Sequence, residues 1–150
     1  METTLVLLKP DTLQRGLAGR ILARFEARGL KIAALRMLRM TPELAAGLYQ
    51  EHVGKPFYPP LVAYMTSGPI LALAIQGPGA IGVVRAMMGP TDGSQAPAGT
   101  LRGDFGLSKA RNLVHGSDGP ESATRELALF FPEGFLAWEP VLEPWIQSRD

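Results

Sequence analysis

The stretch Ile70-Leu71-Ala72-Leu73-Ala74-Ile75 is the segment of this sequence that most clearly predicts a β-strand. It is a short apolar run that begins after the turn-forming Ser67-Gly68-Pro69, and runs bounded in this way are typical of buried strands. Leu5-Val6-Leu7-Leu8 is a second run of this kind, and Lys9-Pro10-Asp11 ends it. We therefore expect a fold built on a sheet, with a lysine and a turn after its first strand.

Helices are predicted around these strands from apolar spacing and from end signals. Apolar residues recur near i, i+4 and i+8 from Leu17 onward, on one face of a helix that Gly29 ends. Thr41-Pro42-Glu43 is a typical helix start, with a hydroxyl cap and a proline in the first turn. That helix is predicted to run to about Glu51, and further helices cover Leu61–Met65, Ala80–Met88 and Glu121–Phe131, the last with Pro120 at its first position.

The order of elements predicts an α/β protein. Lys31 to Met40 contains helix-favouring residues, but its place between a helix stop and a helix start favours a strand, and Asn112 to His115 is another short strand. Lys55 to Pro60 is predicted to be a stiff connector, and Thr91 to Arg111 a long irregular segment, either functional or disordered. The pattern is compatible with a split βαβ sheet that is mostly antiparallel, although it leaves a parallel sheet open.

The composition limits the class of protein. The chain has 150 residues, so we expect residues 1–150 to form a single domain. The absence of Cys excludes disulfides, thiol chemistry and Cys-zinc sites, and a net charge of +1 disfavours nucleic acid as the main partner. The first residues lack the basic region of a signal peptide, and the longest nearly charge-free stretch, Pro69 to Val84, is too short to cross a membrane. A cytoplasmic protein is the simplest interpretation.

Gly77 to Gly82 matches the dinucleotide-binding pattern G-x-G-x-x-G between a predicted strand and a predicted helix. That pattern also needs a following parallel strand and an acidic residue about twenty positions further on, where this chain has a loop rich in Gly, Ala and Pro. An ordinary strand-to-helix turn is therefore the better interpretation. No G-x-x-x-x-G-K-[ST] pattern occurs, which disfavours a P-loop ATPase.

A histidine beside a glycine-rich turn is the strongest candidate for chemistry. His115 lies at a predicted strand end, and Ser117 and Glu126 are suited to orient its imidazole. The alternative is a turn histidine without a role, which periodicity alone favours. The other histidine, His52, follows Glu51 at a predicted helix end, where we expect it to interact with the helix dipole and assign it no chemistry.

Basic and aromatic side chains near irregular structure suggest an anion site. Guanidinium groups match phosphate oxygens, although each basic residue alone is also typical of a solvated surface. The candidates are Lys9, Arg85 and Arg102, with Arg111 as a further one. Phe57 lies in a proline-stiffened segment and is suited either to stacking on a base or to core packing.

Asn112 to Asp118, with the pattern N-x-x-H-G-S-D, resembles the active-site signature of nucleoside diphosphate kinases. Further motifs that resemble this family occur in order over roughly residues 3 to 140. They are Lys9-Pro10-Asp11 with Gln14-Arg15-Gly16, Gly54-Lys55-Pro56-Phe57, Tyr64 to Pro69, Arg102-Gly103-Asp104-Phe105, and Glu121-Ser122-Ala123 with Glu126. Several separate motifs in the right order make chance an implausible explanation.

The resemblance implies a fold, an assembly and a reaction. The fold would be a ferredoxin-like sandwich, with a four-stranded, mostly antiparallel sheet covered by helices, in a homo-oligomer that is a hexamer or a tetramer. His115 would accept the γ-phosphate of a nucleoside triphosphate, typically ATP, and pass it from a phosphohistidine to a nucleoside diphosphate such as GDP. This ping-pong reaction maintains nucleoside triphosphate pools and uses one pocket for both nucleotides. The sequence leaves open which imidazole nitrogen reacts.

The resemblance also implies roles for individual residues. Those that would support catalysis at His115 are Tyr49, Ser117, Glu126 and Lys9. Those that would bind the nucleotide are Lys9 and Asn112 at the ribose, Arg85, Thr91 and Arg102 at the phosphates, and Phe57 and Leu61 at the base. Mg²⁺ would bridge the nucleotide phosphates without direct protein ligands.

Gly119-Pro120 and Tyr58-Pro59-Pro60 depart from the usual family pattern, which puts local loop geometry and assembly in question but not the chemistry. Two other functions are considered: a non-catalytic family member that binds a macromolecular partner, and a phosphocarrier that uses the same histidine. The first is disfavoured because His115, with the implied lysine, arginine and asparagine, is present. The second has little need for the Phe57 platform.

Overall fold

The computed structural model describes residues 1–148, in which it places four strands and seven α-helices. In chain order these elements are β1 (Glu2–Leu8), α1 (Pro10–Gln14), α2 (Ala18–Ala27), β2 (Lys31–Arg39), α3 (Pro42–Leu48), α4 (Tyr58–Met65), β3 (Pro69–Gly77), α5 (Ala80–Met88), α6 (Leu101–Phe105), β4 (Val114–Gly116) and α7 (Pro120–Phe130). Short 3-10 turns occur at Gly93–Gln95 and Glu143–Trp145.

The four strands form one sheet in the order β2-β3-β1-β4. All three pairings are antiparallel, which confirms the ferredoxin-like arrangement and shows that the alternative of a parallel sheet is wrong. The two central strands are almost continuously apolar because both faces of the sheet are covered. Successive side chains therefore alternate between two cores.

One core lies against α3, α4 and α7, and the other lies against α2 and α5. Leu5 and Leu7 of β1 belong to the first core, whereas Val6 and Leu8 belong to the second. All four side chains are fully buried. The strand with the strongest apolar run, β3, divides its side chains between the same two cores, so the sheet is the common wall of both.

Proline marks helix starts in this chain more often than the sequence analysis allowed. Pro10 opens α1, a helix that was not predicted, and Tyr58 with the two following prolines forms the first turn of α4 instead of a stiff connector. A proline is tolerated in the first turn because its missing N–H has no helical acceptor there. Pro120 opens α7 in the same way, as predicted.

Further boundaries differ from the predictions, and the strand predicted over Asn112 to His115 is β4 at Val114–Gly116. The helix that starts after Thr41 ends at Leu48, before the predicted end at Glu51. The segment predicted to be irregular contains α6, whose N-terminus is capped by Thr100 Oγ1, which accepts the Gly103 N–H at 3.0 Å. A hydroxyl cap of this kind stabilises even a short helix.

The tail after α7 lies along the outer strand of the sheet. The Leu136 N–H donates to the Ala33 carbonyl at 3.1 Å, and the Trp138 indole N–H donates to the Ile32 carbonyl at 3.0 Å. The last two residues of the predicted tail and domain, 149 and 150, lie outside the described residues. No helix within residues 1–148 is both long enough and apolar enough to cross a membrane.

The pairing of β1 with β4 brings the residues around Lys9 close to those around His115. Leu7 pairs with His115 and Leu8 pairs with Val114. Lys9, directly after β1, donates its backbone N–H to the Leu113 carbonyl at 2.8 Å. Residues more than a hundred positions apart are therefore neighbours at this end of the sheet.

Candidate active site

His115 is held by a carboxylate on the neighbouring helix α7. Its Nε2 lies 2.8 Å from Glu126 Oε1, and the Ser117 hydroxyl donates to the same oxygen at 2.9 Å. Ser117 is fixed in turn because its Oγ accepts the Leu5 N–H at 3.2 Å. The strand β4 and the helix α7 thus fix both the position of the imidazole and the nitrogen that Glu126 engages.

Lys9 and Asn112 form a second polar pair beside the histidine. The Lys9 ammonium donates to Asn112 Oδ1 at 2.6 Å. Burial, together with the charge of Arg102, lowers the pKa of Lys9 to about 7, while Asp11 acts in the opposite direction. Lys9 is therefore close to the midpoint of its titration near neutral pH, and an anion bound beside it favours the charged form.

Arg102 is almost fully buried, and its guanidinium ties three backbone segments together. Nε donates to the Asn112 carbonyl at 3.0 Å, Nη1 to the Gly89 carbonyl at 3.0 Å, and Nη2 to the Val114 carbonyl at 2.7 Å. Burial and the charge of Arg85 lower the pKa of Arg102 to about 10, so the side chain stays charged at neutral pH. Three of its five N–H groups are used by the protein itself.

A small cavity of about 160 Å³, here called the histidine cavity, opens at His115. Arg85 and Asp118 line it, and Arg85 Nη1 donates to the Gly116 carbonyl at 3.3 Å. A hydrogen bond from Ser122, and then the charges of Arg85 and His115, lower the pKa of Asp118. The cavity therefore joins a cation, an ionised carboxylate and the imidazole.

A larger cleft of about 670 Å³, here called the Phe57 cleft, lies beside the histidine cavity. Phe57 is half exposed in this cleft, close to Leu61 of α4. Thr91, Lys9 and Asn112 line the polar part of the same cleft. The cleft thus has both apolar and polar lining, which suits a ligand with a ring and a charged group.

Tyr49 lies between the two cavities and lines both. Its hydroxyl is buried and has no hydrogen-bond partner within residues 1–148. Burial raises the pKa of Tyr49, and the charge of Glu126 raises it further, so the phenol stays neutral. The Tyr49 side chain is therefore part of the boundary between the histidine cavity and the Phe57 cleft.

Comparison with known proteins identifies the family. The sequence model described as "Nucleoside diphosphate kinase" matches residues 2–135. The chain is 58% identical over 132 residues to a nucleoside diphosphate kinase of Staphylothermus marinus, covering 88% of this chain and 94% of that protein. It is 52% identical over 151 residues to that of Rhodopirellula baltica, covering 100% and 99% of the two chains.

The chain belongs to the nucleoside diphosphate kinase family. The predicted enzyme class is thereby confirmed. A solved structure of a halophilic nucleoside diphosphate kinase from Halobacterium salinarum, in complex with CDP, superposes with a TM-score of 0.95 at 42% identity. The match covers 98% of this chain and 99% of that one, so the two folds are similar over almost their whole length.

The structure brings together every residue that the nucleoside diphosphate kinase resemblance selected. Those that line the histidine cavity are His115, Glu126, Tyr49 and Arg85. Those that line the Phe57 cleft are Phe57, Leu61, Thr91, Lys9, Asn112 and again Tyr49. Ser117 and Arg102 line neither cavity, but they hydrogen-bond to Glu126 and to the Asn112 backbone respectively.

The departures from the family pattern are accommodated locally. Gly119 is extended, with φ −174°, and leads directly into the first turn of α7 at Pro120. The prolines after Tyr58 are in the first turn of α4, which carries Leu61 to the Phe57 cleft.

Sequence reasoning missed several residues at this site. The expectation that His52 interacts with the dipole at a helix end is wrong, because α3 ends at Leu48 and His52 lies in the turn that follows. His52 lines both cavities. Arg125 was not predicted either; its Nη1 donates to the Gly47 carbonyl at 2.6 Å and its Nη2 lies 3.8 Å from Glu126 Oε2. The feature of the sequence that could have indicated a role for Arg125 is its position next to Glu126.

Proposed function

We propose that this chain is a nucleoside diphosphate kinase that transfers the γ-phosphate of a nucleoside triphosphate, typically ATP, to a nucleoside diphosphate through a phosphohistidine at His115. The observation that carries the proposal is the contact between His115 Nε2 and Glu126 Oε1 at 2.8 Å. Within residues 1–148 this leaves Nδ1 without a protein hydrogen bond, so Nδ1 is the nitrogen available as nucleophile. Such a reaction maintains nucleoside triphosphate pools.

In the first half-reaction the lone pair of His115 Nδ1 attacks the γ-phosphorus. A nitrogen–phosphorus bond forms while the bond from phosphorus to the β,γ-bridging oxygen breaks, and the nucleoside diphosphate leaves with that electron pair. The imidazole gains positive charge as it reacts, and the Glu126 carboxylate, which accepts a hydrogen bond from the Nε2–H, stabilises that charge. In the second half-reaction a different nucleoside diphosphate attacks the phosphohistidine and restores the free imidazole.

The other site residues hold the nucleotide in this proposal. Arg85, Thr91 and Arg102 bind the phosphates, where Arg102 has two N–H groups left after its three backbone contacts. Lys9 and Asn112 contact the ribose hydroxyls and the phosphate near them. Phe57 and Leu61 hold the base by apolar contact, which reads no hydrogen-bonding edge and therefore accepts different bases.

Mg²⁺ fits this site as an ion that arrives with the nucleotide. Within the described residues no cluster of three His, Cys, Asp or Glu side chains is placed to hold a metal. The histidine cavity does have the exposed carboxylate of Asp118, whose lowered pKa keeps it ionised, and such a group suits water-mediated contact with a hard cation. Such an ion would supply positive charge against the phosphates, and Asp118 would be the residue placed to contact it through water.

The proposal includes a single domain over residues 1–150 that acts as a homo-oligomer, either a hexamer or a tetramer. The substrates are nucleoside di- and triphosphates, and a net charge of +1 argues against nucleic acid as the main partner. The cytoplasmic location stays a prediction from the sequence.

Labelling with γ-³²P ATP tests the proposal. The protein is incubated with the labelled ATP and Mg²⁺ without an acceptor, then separated from nucleotide and mixed with GDP. We expect acid-labile label on the wild-type protein, none on His115→Ala, and transfer of the label to GTP. A non-catalytic protein would take up no label, and a phosphocarrier would be labelled but would not transfer to GDP. Either result contradicts the proposal.

A further inference from the structure

His52 lies between two aromatic rings that belong to different parts of the site. Its ring is stacked on Tyr49, with centroids 6.2 Å apart and an interplanar angle of 24°. It meets Phe57 edge to face, with centroids 5.2 Å apart and an angle of 66°. A continuous row of three aromatic rings thus leads from the histidine cavity to the Phe57 cleft.

The backbone keeps His52 in this place through a series of tight turns. The His52 N–H donates to the Tyr49 carbonyl at 2.8 Å, and the Lys55 N–H donates to the His52 carbonyl at 3.0 Å. The Tyr58 N–H then donates to the Lys55 carbonyl at 3.0 Å. These turns lead directly from the end of α3 to the start of α4, so the backbone position of His52 is fixed by its own main chain.

Phe57 needs a neighbour of this kind. Half of its surface is exposed, so the core alone does not fix the direction in which its ring faces. An edge-to-face aromatic contact restricts the ring to one orientation, and contacts of this type contribute about threefold to tenfold to an equilibrium. The Lys55 ammonium, 5.9 Å from the Phe57 ring centre, is on an exposed and flexible side chain and provides a weaker constraint.

The contribution of His52 comes from its ring and not from a hydrogen bond. Its Nδ1 is buried and has no partner within the described part of the chain. A phenylalanine ring keeps the two aromatic contacts and removes this unpaired nitrogen. A phenylalanine at position 52 therefore distinguishes a role in ring packing from a role in hydrogen bonding.

We propose that His52 is a positioning residue for the base of the nucleotide: it holds the Phe57 ring in the orientation that stacks on the base, and leaves the phosphate chemistry at His115 unaffected. The inference rests on the proposed function, because it takes Phe57 as the base platform. The inference predicts that substitution of His52 weakens the use of substrates that have a base and leaves the use of a phosphodonor without a base unchanged.

The experiment compares wild type, His52→Ala and His52→Phe with two kinds of donor. One is ATP with GDP as acceptor, and the other is phosphoramidate, a small phosphodonor without base or ribose. We expect His52→Ala to raise the KM for GDP about threefold to tenfold, and to change phosphorylation of His115 by phosphoramidate less than twofold. His52→Phe should return the KM to within about twofold of wild type.

Val53→Ala is the matched control, because Val53 is in the same turn, is exposed and lines neither cavity. If His52→Ala does not fold, His52→Leu fills the space without an aromatic edge and should raise the KM in the same direction. An unchanged KM, equal losses with both donors, or a His52→Phe variant as weak as His52→Ala would overturn the inference. Failure of wild type to take label from either donor would instead contradict the proposed function.

Discussion

Asp11 holds the backbone of Leu113 in a left-handed conformation two residues before His115. The Leu113 N–H donates to Asp11 Oδ2 at 3.2 Å, and φ of Leu113 is +72°. The Leu113 carbonyl is fixed from the other side, because it accepts the Thr12 hydroxyl at 2.7 Å. A branched residue with positive φ costs about 1–3 kcal/mol and persists only where its surroundings determine it.

Asp11→Ala should therefore affect both stability and turnover. It removes the acceptor of the Leu113 N–H and also that of the Tyr64 hydroxyl, so we expect the free energy of unfolding to fall by about 1–3 kcal/mol. Turnover should fall at a temperature where the variant is still folded, because β4 then starts from a less constrained residue. Urea unfolding and steady-state kinetics check this. The exposed carboxylate variant Glu133→Ala is the control, and equal behaviour of the two variants would contradict the role of Asp11.

Glu126→Gln tests the support of the imidazole. The amide oxygen can still accept from His115 and Ser117, but the negative charge that stabilises the reacting ring is lost. We expect kcat to fall by about 10²-fold, the size of effect expected when one group that stabilises developing charge is lost, with a smaller change in KM. Glu121→Gln, an exposed change on the same helix, should retain wild-type kcat. Turnover within a fewfold of wild type in Glu126→Gln would show that the carboxylate charge has no part in the reaction.

Arg102→Lys and Arg85→Lys should separate an architectural arginine from a binding one. A lysine at 102 cannot reach all three backbone carbonyls, so we expect a loss of about 2–4 kcal/mol in stability together with a turnover lower by about 10²-fold. Arg85 is exposed and has a single contact at 3.3 Å, so its variant should change stability by less than about 0.5 kcal/mol and mainly raise the KM. Denaturant titrations measure the stability of both variants, and steady-state kinetics measure their turnover and KM. Equal stability losses would refute the distinction.

Lys9 predicts a particular dependence of stability on pH. Its pKa in the folded protein is lowered from 10.5 to about 7, so between these values the unfolded chain binds more protons at this group. The stability cost of Lys9 is therefore fully present below pH 7 and is relieved as the pH rises toward 10.5. We expect the free energy of unfolding of wild type, relative to Lys9→Met, to grow by several kcal/mol from about pH 6.5 to pH 9.5.

Lys109→Met is the control for that measurement, because Lys109 is exposed. Its difference from wild type should stay constant over the same pH range. A constant difference for Lys9→Met as well would mean that Lys9 titrates in the folded protein as it does in the unfolded chain.

The sequence predicted the strands well because their signal is local. The runs at Leu5–Leu8 and Ile70–Ile75 are apolar at every position, and both faces of the sheet bury them. The relative direction of the strands was open, since periodicity does not determine how strands pair. The helix α1 was not predicted, and α4 was predicted only from Leu61 onward, because Lys9-Pro10-Asp11 indicated a turn and Tyr58-Pro59-Pro60 a stiff connector.

The candidate site was predicted as a set of residues but not as an arrangement. Motif resemblance selected His115, Glu126 and Lys9, and their grouping follows from the pairing of β1 with β4. No sequence pattern indicated that Arg102 donates to three backbone carbonyls or that Leu113 has a positive φ. Both depend on contacts with residues far along the chain, which no local pattern encodes.

The pairing of β1 with β4 also affects how this protein is made. Lys9 and Asp11 are synthesised early, whereas their partners Asn112 and Leu113 leave the ribosome only after three quarters of the chain. Contacts of such long sequence separation form late in folding, because a large loop must close first. A nascent or truncated chain that stops before β4 therefore has its cationic residues but no site, so nucleotide affinity and phosphate transfer should arise together in a single late step.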